Sequence, residues 1–488
     1  MDFNRYNPNY YTALATDRAR IQAAIDAAAE MGEEAVIPAV NLRTGERLWE
    51  IDGGILLPDG IIVKLVNAHL RLADGAVCHM FQNKNVGTSA AKTLAGRQRD
   101  ITIRGIGKSV LDGGEYNGIV EKCNGSPGVP NAWENIMIYM HNVENLRIEN
   151  IHIMDQRQYG ICMMYCSRVT IRDITFHSHC NVPNQDGIDI HAGCNEVMVE
   201  NIRGCTGDDV VAITTIDWGC MAHEHAHVEG LSPDIHDVTV RDLQVFAANG
   251  CALVRILNHD GHKIYNIRID NLQEVSPWSD ADASVAPNPD LYGIITEDHH
   301  FKMERKQTLG EFGYRSDSAI RIGENSWYGH HPAEPGDTWG ISISNVSTHA
   351  RHAVTIANTL WDSSFENIRL HGNGFRAVFF NNGDVRNVTF RNVTWTENSR
   401  PHPEDKEIHI EWNATDSVGL SAFHFSGTNA KNLHFEHIRT GMGIESVFAG
   451  HGNVELTAEY VQAMDENTLL LAGDTEKPMR DESYVIAL

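Results

Sequence analysis

Residues 143–176 read VENLRIENIHIMDQRQYGICMMYCSRVTIRDITF, and a six-residue pattern occurs twice within them. The two copies, LRIENI at 146–151 and VTIRDI at 169–174, alternate apolar and polar residues and place Asn or Asp fifth. Alternation with a period of two is typical of a short β-strand with one buried face. Asn and Asp at a fixed position favour a turn, because they tolerate left-handed backbone and form local hydrogen bonds. Each copy therefore predicts a short strand and a bend.

The same pattern recurs along most of the chain. Further copies are VMVENI at 197–202, VTVRDL at 238–243, IRIDNL at 267–272, ISISNV at 341–346, IRLHGN at 368–373, VTFRNV at 388–393 and LHFEHI at 433–438. A repeat of roughly 20 to 30 residues built on short strands indicates a solenoid, because stacked copies bury faces that no copy can bury alone. We therefore predict an all-β fold, a single-stranded right-handed parallel β-helix. An antiparallel sandwich or a propeller fits less well, since the repeat is irregular and hairpin turns are scarce.

The N-terminal segment predicts a cap for the solenoid. Residues 16–32, TDRARIQAAIDAAAEMG, place Ile21, Ala24, Ile25 and Ala28 on one face of an amphipathic helix that ends at Gly32. A solenoid needs its open end covered, so we expect this helix to cap the first coil.

The remainder of the chain is predicted to complete a single domain over residues 1–488. Coils are expected over 33–452, and a C-terminal cap or tail over 453–488, where the repeat is lost. Long loops on a rigid solenoid commonly shape a binding cleft. Three such insertions are expected, near residues 214–235, 275–318 and 324–338.

The amino-acid composition limits which partners the protein can bind. The chain has 39 Lys and Arg against 65 Asp and Glu, a formal net charge of −26 that opposes binding to nucleic acid or anionic membranes. No basic segment followed by an apolar run opens the chain, and no run of about 18 apolar residues occurs, so neither a signal peptide nor a membrane span is expected. The nine cysteines, an odd number, favour free thiols in the cytoplasm. No cofactor is expected, and the flat faces of a β-helix leave a homo-oligomer open.

Three aspartates lie at the ends of predicted strands in residues 184–209, NQDGIDIHAGCNEVMVENIRGCTGDD. Asp186 precedes Asp208 by 22 residues, close to one coil. Asp186 should therefore lie beside Asp208 and Asp209, roughly 5 Å away on the neighbouring coil. Clustered carboxylates repel, so at least one should have a raised pKa. A protonated carboxyl beside an ionised one is what glycoside hydrolysis requires, although Asp-Gly and Gly-Asp are also common turn dipeptides.

The succession N-x-D-G and then G-D-D one coil later resembles glycoside hydrolase family 28, the polygalacturonase family of β-helix enzymes. The resemblance extends roughly over residues 16–325 and includes GILLPDGIIVKLVNAHLRLADGA at 54–76. It implies that Asp208 is the general acid that protonates the glycosidic oxygen. It also implies that Asp186 and Asp209 hold and deprotonate the attacking water. Hydrolysis would then invert the anomeric centre, with acid and base carboxyls about 6.5 to 9.5 Å apart.

Two motifs of that family are altered here. Where the family has G-H-G, residues 249–252 read NGCA, without a histidine. Where the family has R-I-K, Gly323 follows Arg321 and Ile322 in place of the lysine. The resemblance gives Arg321 the role of gripping the carboxylate of a uronic acid. The lost lysine and the net charge of −26 favour a neutral glycoside, or a short oligosaccharide with one acidic sugar, over polygalacturonate.

Other residues are predicted to bind the substrate. Asp189 and His191 alternate with the apolar residues of GIDIHA, so both should project toward the cleft. Arg255, in ALVRIL, could replace Arg321, and Trp327 could stack on a sugar ring. The complete predicted set is Asn184, Gln185, Asp189, His191, Arg255, His259, Arg321 and Trp327.

A histidine-rich segment, HEHAH, lies in the first insertion. On an extended backbone His223, His225 and His227 would share one face, which permits metal binding. A solvated loop is the simpler interpretation, and we predict no metal site.

The sequence favours one function and leaves others open. The favoured function is that of a glycoside hydrolase that cleaves short oligosaccharides, such as galacturonides or related plant or microbial glycans. An exo mode is expected, because long insertions could wall off the groove. A polysaccharide lyase would need calcium and a basic residue near the acidic pair, and no Lys or Arg lies between Arg203 and Arg241. A β-helix that transfers fructosyl units and a non-catalytic glycan-binding or structural solenoid are the other candidates.

Overall fold

The computed structural model describes residues 6–114, 135–178, 184–216, 223–248, 250–275, 316–325, 330–372, 374–396, 420–472 and 484–487. The chain divides into two compact units. The first contains Met1–Ala212, Asp217–Val238 and Pro277–Gln307, and the second contains Ile213–Ile216, Thr239–Ser276 and Thr308–Leu488. Among the described residues, no helix combines the length and the apolar character needed to cross a bilayer.

The predicted N-terminal helix is present over Asp17–Met31. Thr16 caps its start, because its side-chain oxygen accepts the Ala19 N–H at 3.2 Å. Gly32 ends it in the left-handed conformation with φ of 66°. The helix packs on the first three strands, with its predicted apolar face buried. The helix therefore covers the apolar interior of the first coil, as predicted.

The strands of the first unit stack in three columns of parallel pairs. The first column contains Glu34–Pro38, Ile62–Val66, Gln98–Ile106, Val143–Met154, Ser167–His177 and Asn195–Thr206. The second contains Trp49–Ile51, His69–Leu72 and Val110–Asp112 and meets Val143–Met154. The third contains Ile55–Leu57, Phe81–Asn83, Ile138–His141, Ile161–Met164 and Ile188–Ile190. Strands Val211–Thr214 and Ile235–Ala247 each include residues of both units.

The second unit continues the same kind of stacking. Its strands are Ala252–Leu257, Ile264–Glu274, Ser318–Ile322, Thr338–Thr348, His352–Leu370, Arg376–Trp395, Ser421–Thr440, Ser446–Ala463, Leu469–Leu471 and Tyr484–Ala487. The described strands of this unit pair in parallel, except that the last strand pairs antiparallel with Ser446–Ala463. Inside, Phe390 stacks on Phe365 and Phe435 with ring centroids 4.6 and 5.1 Å apart. The predicted all-β parallel solenoid is thus confirmed, and parallel pairing excludes the sandwich and the propeller.

Short helices complete the described secondary structure. They are the 3-10 helices Pro8–Tyr10, Ser89–Lys92 and Leu94–Gly96, and the α-helix His223–Ala226.

The fifth residue of the repeat explains the bend in each coil. It adopts left-handed φ in every copy, for example 56° at Asn150, 57° at Asp173 and 52° at Asn201. A second left-handed residue lies five positions earlier, at Asn145, Arg168 and Glu196 in the same coils. Asn and Asp are favoured at such positions because their short polar side chains reduce the steric cost.

Two boundaries differ from the sequence prediction. The copy assigned to residues 368–373 is wrong, because Ile343 pairs with Phe365 and the repeat is SSFENI at 363–368. Ser363 takes the first apolar position of this copy, which hides the alternation. The coils also continue beyond residue 452, because Ser446–Ala463 pairs with the preceding strand and with Leu469–Leu471. There Tyr460, with φ of 54°, occupies the left-handed position that Asn holds elsewhere, so the pattern was missed.

Candidate active site

Backbone hydrogen bonds place Asp186 next to Asp209 in the first unit. The Gly187 N–H donates to the Asp209 carbonyl and the Ile188 N–H to the Val210 carbonyl, both at 2.9 Å. In a parallel pair this pattern makes Asp186 and Asp209 lateral neighbours on consecutive coils. A Cβ at Gly187 would lie 2.4 Å from the Val210 carbonyl oxygen, so the glycine of N-x-D-G permits this close approach.

The Asp208 carboxylate is held by two backbone donors. The Asn184 N–H donates to Oδ2 at 3.2 Å, and the Asp209 N–H donates to Oδ1 at 3.0 Å. Asn184 has left-handed φ of 57°, which suits asparagine at this turn. The Thr206 hydroxyl donates to the Asp208 carbonyl at 2.6 Å. Asp208 is therefore fixed against the segment that carries Asp186, and the structure brings the three aspartates together as the one-coil spacing predicts.

All three aspartates lie in an enclosed environment. Asp208 is 9% exposed, Asp186 5% and Asp209 3%. Burial strengthens the electrostatic interactions among carboxyl groups, since water screens them less. Such a cluster can supply both a proton donor and a proton acceptor, the requirement of general acid–base hydrolysis.

Asp189 and His191 lie on the strand that follows Asp186. Ile188 and Ile190 point into the solenoid, so the alternating Asp189 points outward. His191 Nε2 lies 3.7 Å from Asp189 Oδ1, and both residues are buried. Burial raises the pKa of Asp189 well above its usual range, and the charges of Asp209 and Asp208 raise it further. Asp189 and His191 therefore lie side by side, and their contact with substrate stays a prediction.

Gln185 has a structural position that disagrees with the predicted contact to substrate. It is fully buried, and its Nε2 donates to the Gln156 carbonyl at 2.6 Å. In return, Gln156 Nε2 donates to the carbonyls of Gln185 and Asp186 at 3.2 and 3.1 Å. The Ser178 hydroxyl donates to Gln156 Oε1 at 2.9 Å. Gln156 therefore anchors the segment that carries Asp186, a role that sequence inspection missed because the residue lies outside the repeat.

In the second unit, Arg255 and Arg321 are register neighbours bound to acidic residues. Arg321 Nε lies 2.5 Å from Glu324 Oε1, and its NH1 lies 3.0 Å from Asp317 Oδ2. Arg255 NH2 lies 3.1 Å from the same Glu324 oxygen. Burial raises the pKa of Asp317, but nearby positive charge, chiefly from Arg321, outweighs it and leaves the pKa below its usual range. Arg351 NH1 also lies 4.0 Å from Asp317 Oδ1, so three guanidinium groups surround two carboxylates, an arrangement that the sequence did not reveal.

His259 lies in the same unit and is fully buried. Its Nδ1 donates to the His331 carbonyl at 3.1 Å, which leaves Nε2 as the acceptor nitrogen. Burial lowers the pKa of His259, so the ring is neutral at neutral pH. Trp327 lies outside the described residues, and so does Asn249 of the altered G-H-G motif.

The HEHAH segment is not extended, the condition under which its histidines would share one face, because His223–Ala226 form a helical turn. Ala226 and Val228 instead pack into a second apolar cluster with Tyr139, Cys162 and Met164. Tyr139 and Cys162 occupy the same register column as Asp189, so this cluster lies on the outer face of the coils. The segment is tied down by contacts of His141 Nε2 with the Ala226 carbonyl at 2.6 Å, and of the Tyr165 hydroxyl with His227 Nδ1 at 3.2 Å. The first insertion therefore covers the coils that precede Asp189.

Comparison with known proteins finds a sequence family and a fold that this chain resembles. Residues 54–219 match the sequence model of the glycosyl hydrolases family 28. A probable polygalacturonase from Arabidopsis thaliana is 28% identical over 112 residues, which span 23% of this chain and 23% of that protein.

Two solved structures show the same fold. The A-module of mannuronan C-5 epimerase AlgE6 from Azotobacter vinelandii has a TM-score of 0.58 at 13% identity, covering 94% of this chain and 99% of the module. The AlgE4 A-module from the same organism has a TM-score of 0.53 at 13% identity, covering 96% and 100%. At this identity the likeness concerns the β-helix fold alone.

The resemblance to glycoside hydrolase family 28 is thus confirmed, and NQDG and GDD both lie within the matched residues. The match is limited to residues 54–219 of the 488-residue chain. The alignment with the polygalacturonase relative spans less than a quarter of either protein.

Proposed function

We propose that the protein is a glycoside hydrolase that cleaves short oligosaccharides with inversion of the anomeric centre. One observation carries the proposal: Asp186, Asp208 and Asp209 form a buried cluster across consecutive coils, inside the region that matches family 28. Asp208 is the most exposed of the three and acts as the general acid. Asp186 and Asp209 hold the water and take its proton.

The protein backbone keeps this arrangement in place before substrate binds. The Asn184 and Asp209 N–H groups fix the Asp208 carboxyl, and Gln156 fixes the carbonyl of Asp186. Groups held in position need no reorganisation when charge develops in the transition state. Protonation of the leaving oxygen and deprotonation of water then occur on opposite faces of the sugar ring.

We propose an exo mode of action. The outer face of the coils before Asp189 is filled by the apolar cluster of Ala226, Val228, Tyr139 and Met164. A glycan chain running along the coils would have to displace this packed segment. Cleavage would therefore release short products from one end of the substrate.

We also propose that the protein is cytoplasmic and that it forms a homo-oligomer. Cys78, Cys166 and Cys194 carry free thiols, which favours a reducing compartment such as the cytoplasm. Its partner is a short oligosaccharide substrate.

The first experiment is a substrate screen with the intact protein. Aryl α-glycosides and short oligosaccharides, including galacturonides, are incubated with the protein and the products separated by anion-exchange chromatography. We expect hydrolytic products that are released from one end from the earliest times. An unsaturated product with near-ultraviolet absorbance would indicate a lyase instead, and binding without turnover would indicate a glycan-binding solenoid.

We further propose that the sugar in contact with Arg255 and Arg321 is neutral. Arg255 and Arg321 are both ion-paired with Glu324, and Arg321 also with Asp317, so an incoming carboxylate would have to compete with these two negative groups. A sugar hydroxyl can instead donate to a carboxylate and accept from a guanidinium at the same time.

Replacing Glu324 by Gln should shift selectivity toward uronides. The amide keeps the shape of the side chain but removes one negative charge beside both arginines. We expect the ratio of kcat/KM for a galacturonide over the matching neutral galactoside to rise about tenfold, which equals about 1.4 kcal/mol. Initial rates on the two aryl glycosides measure it. Glu366→Gln, at an exposed glutamate of the same unit, is the control, and an unchanged ratio in Glu324→Gln would show that the cluster does not contact the sugar.

A further inference from the structure

Gln156 lies on the coil before Asp186, and its side chain is fully buried. Its Nε2 donates to the Gln185 carbonyl at 3.2 Å and to the Asp186 carbonyl at 3.1 Å. The Ser178 hydroxyl donates to Gln156 Oε1 at 2.9 Å, which keeps the NH₂ group turned toward the two carbonyls. One side chain therefore contacts the peptide groups on both sides of the Asp186 Cα.

The Gln185 carbonyl is also the acceptor for the turn that carries Asp208. The Gly207 N–H donates to it at 3.1 Å and the Asp208 N–H at 3.3 Å. The Gln185 side chain adds a bond in the opposite direction, because its Nε2 donates to the Gln156 carbonyl at 2.6 Å. Gln156 is therefore bonded to the segment of Asp186 at the same oxygen that holds the Asp208 turn.

The separation between acid and base decides whether an inverting hydrolysis can proceed. The two carboxyls must lie about 6.5 to 9.5 Å apart, because the attacking water has to fit beside the base. Asp186 and Asp208 belong to consecutive coils, so their separation depends on how the two backbone segments are joined. A catalytic group displaced by about 1 Å can lose about 100-fold in rate. The Gln185 carbonyl is one point at which the segments meet, and Gln156 donates to it.

We propose that Gln156 is a positioning residue for the acid–base pair, holding Asp186 and Asp208 at the separation that the reaction requires. This proposal rests on the proposed hydrolase function. Gln156 acts on the two aspartates through peptide carbonyls rather than through their carboxyl groups. Its loss should therefore slow the chemical step and leave the binding of substrate almost unchanged.

The test is the steady-state kinetics of Gln156→Met, measured with the intact protein on the best substrate of the screen. Methionine has nearly the length of glutamine and packs well in buried space, but it has no N–H to donate. We expect kcat to fall about 10- to 100-fold, while KM stays within about threefold of the wild-type value. An unchanged kcat would overturn the proposal, and so would a loss carried by KM, which would place Gln156 in substrate binding.

Gln158→Met is the matched control. Gln158 lies two residues further along the same segment and is also fully buried. Within the part of the chain that the structure describes, neither amide atom of Gln158 has a hydrogen-bond partner. The same substitution there leaves no partner unsatisfied, so kcat should stay within about twofold of wild type. An equal fall in kcat for both variants would show that any change in this buried segment disturbs the site, and would overturn the specific role of Gln156.

Hydrogen exchange gives a second readout that does not depend on turnover. The Gly207 and Asp208 N–H groups donate to the Gln185 carbonyl, so they should open more often when that carbonyl loses its bond to Gln156. We expect exchange at these two amides to be about tenfold faster in Gln156→Met than in Gln158→Met, measured by mass spectrometry of the peptides that contain them. Equal exchange would refute the anchoring by Gln156. Faster exchange together with a wild type that hydrolyses nothing would refute the hydrolase and keep the anchoring.

Discussion

Asp208→Asn should lower kcat by about 10²- to 10⁴-fold, the usual contribution of a general acid. The amide has the shape of the carboxyl but cannot deliver a proton to the glycosidic oxygen. Aryl glycosides with good leaving groups should lose less activity than natural glycosides, because a weakly basic oxygen needs less protonation. Steady-state rates on both kinds of substrate measure the effect.

The stability of this variant must be measured alongside its activity. Both Asp208 oxygens accept a backbone N–H, so the new NH₂ group opposes one of those donors. An unsatisfied buried donor costs about 1 to 3 kcal/mol. Asp173→Asn is the control, because Asp173 is exposed and holds a left-handed turn that asparagine also tolerates. A folded Asp208→Asn variant as active as wild type would remove Asp208 from the mechanism.

Gly323→Ala should destabilise the second unit strongly. Gly323 has φ of 76°, and a Cβ there would lie 1.7 Å from the Ala357 carbonyl oxygen. The left-handed backbone alone costs about 1 to 2 kcal/mol for an L-residue. Its N–H also donates to the Ile256 carbonyl at 2.7 Å, so the strand cannot move away without losing that bond. We expect a total loss of about 4 kcal/mol or more, measured by urea unfolding followed by circular dichroism.

Gly261→Ala separates the two causes of that loss. Gly261 has φ of 75° but nothing within 4 Å of its Cβ position, so it carries the backbone cost without the clash. Its loss should stay near 1 to 2 kcal/mol. Equal losses in the two variants would show that the coils relax around position 323. The same clash opposes any side chain at position 323, including the lysine that the resemblance to family 28 would place there.

The fold could be predicted because its signal is local and repeated. Each coil needs an apolar alternation and a residue that tolerates left-handed backbone, and both can be seen in single copies such as LRIENI. The prediction was wrong where those residue types change. Ser363 replaces an apolar residue before Phe365, and Tyr460 takes the turn position of the last long coil. Stacking on a neighbouring coil overrides the weaker local preference in both places.

The grouping of the aspartates was predictable because one coil sets the distance between Asp186 and the Asp208–Asp209 pair. The surroundings were not predictable, since they depend on side chains brought together from distant segments. Gln156 lies 30 residues before Asp186 and still fixes its carbonyl. The Arg255–Glu324 pair spans 69 residues of sequence. The helical turn of HEHAH follows from its apolar neighbours, which find a cluster on the outer face of the coils.

The most direct test of the central claim is proton NMR of the product formed in the first minutes of hydrolysis. An inverting reaction with Asp208 as acid predicts that an α-glycoside releases the β-anomer first, with the α-anomer appearing only by mutarotation. Asp208→Asn should release neither at a comparable rate. Release of the α-anomer first would contradict the account, because it requires a covalent intermediate rather than direct attack by a water held by Asp186 and Asp209.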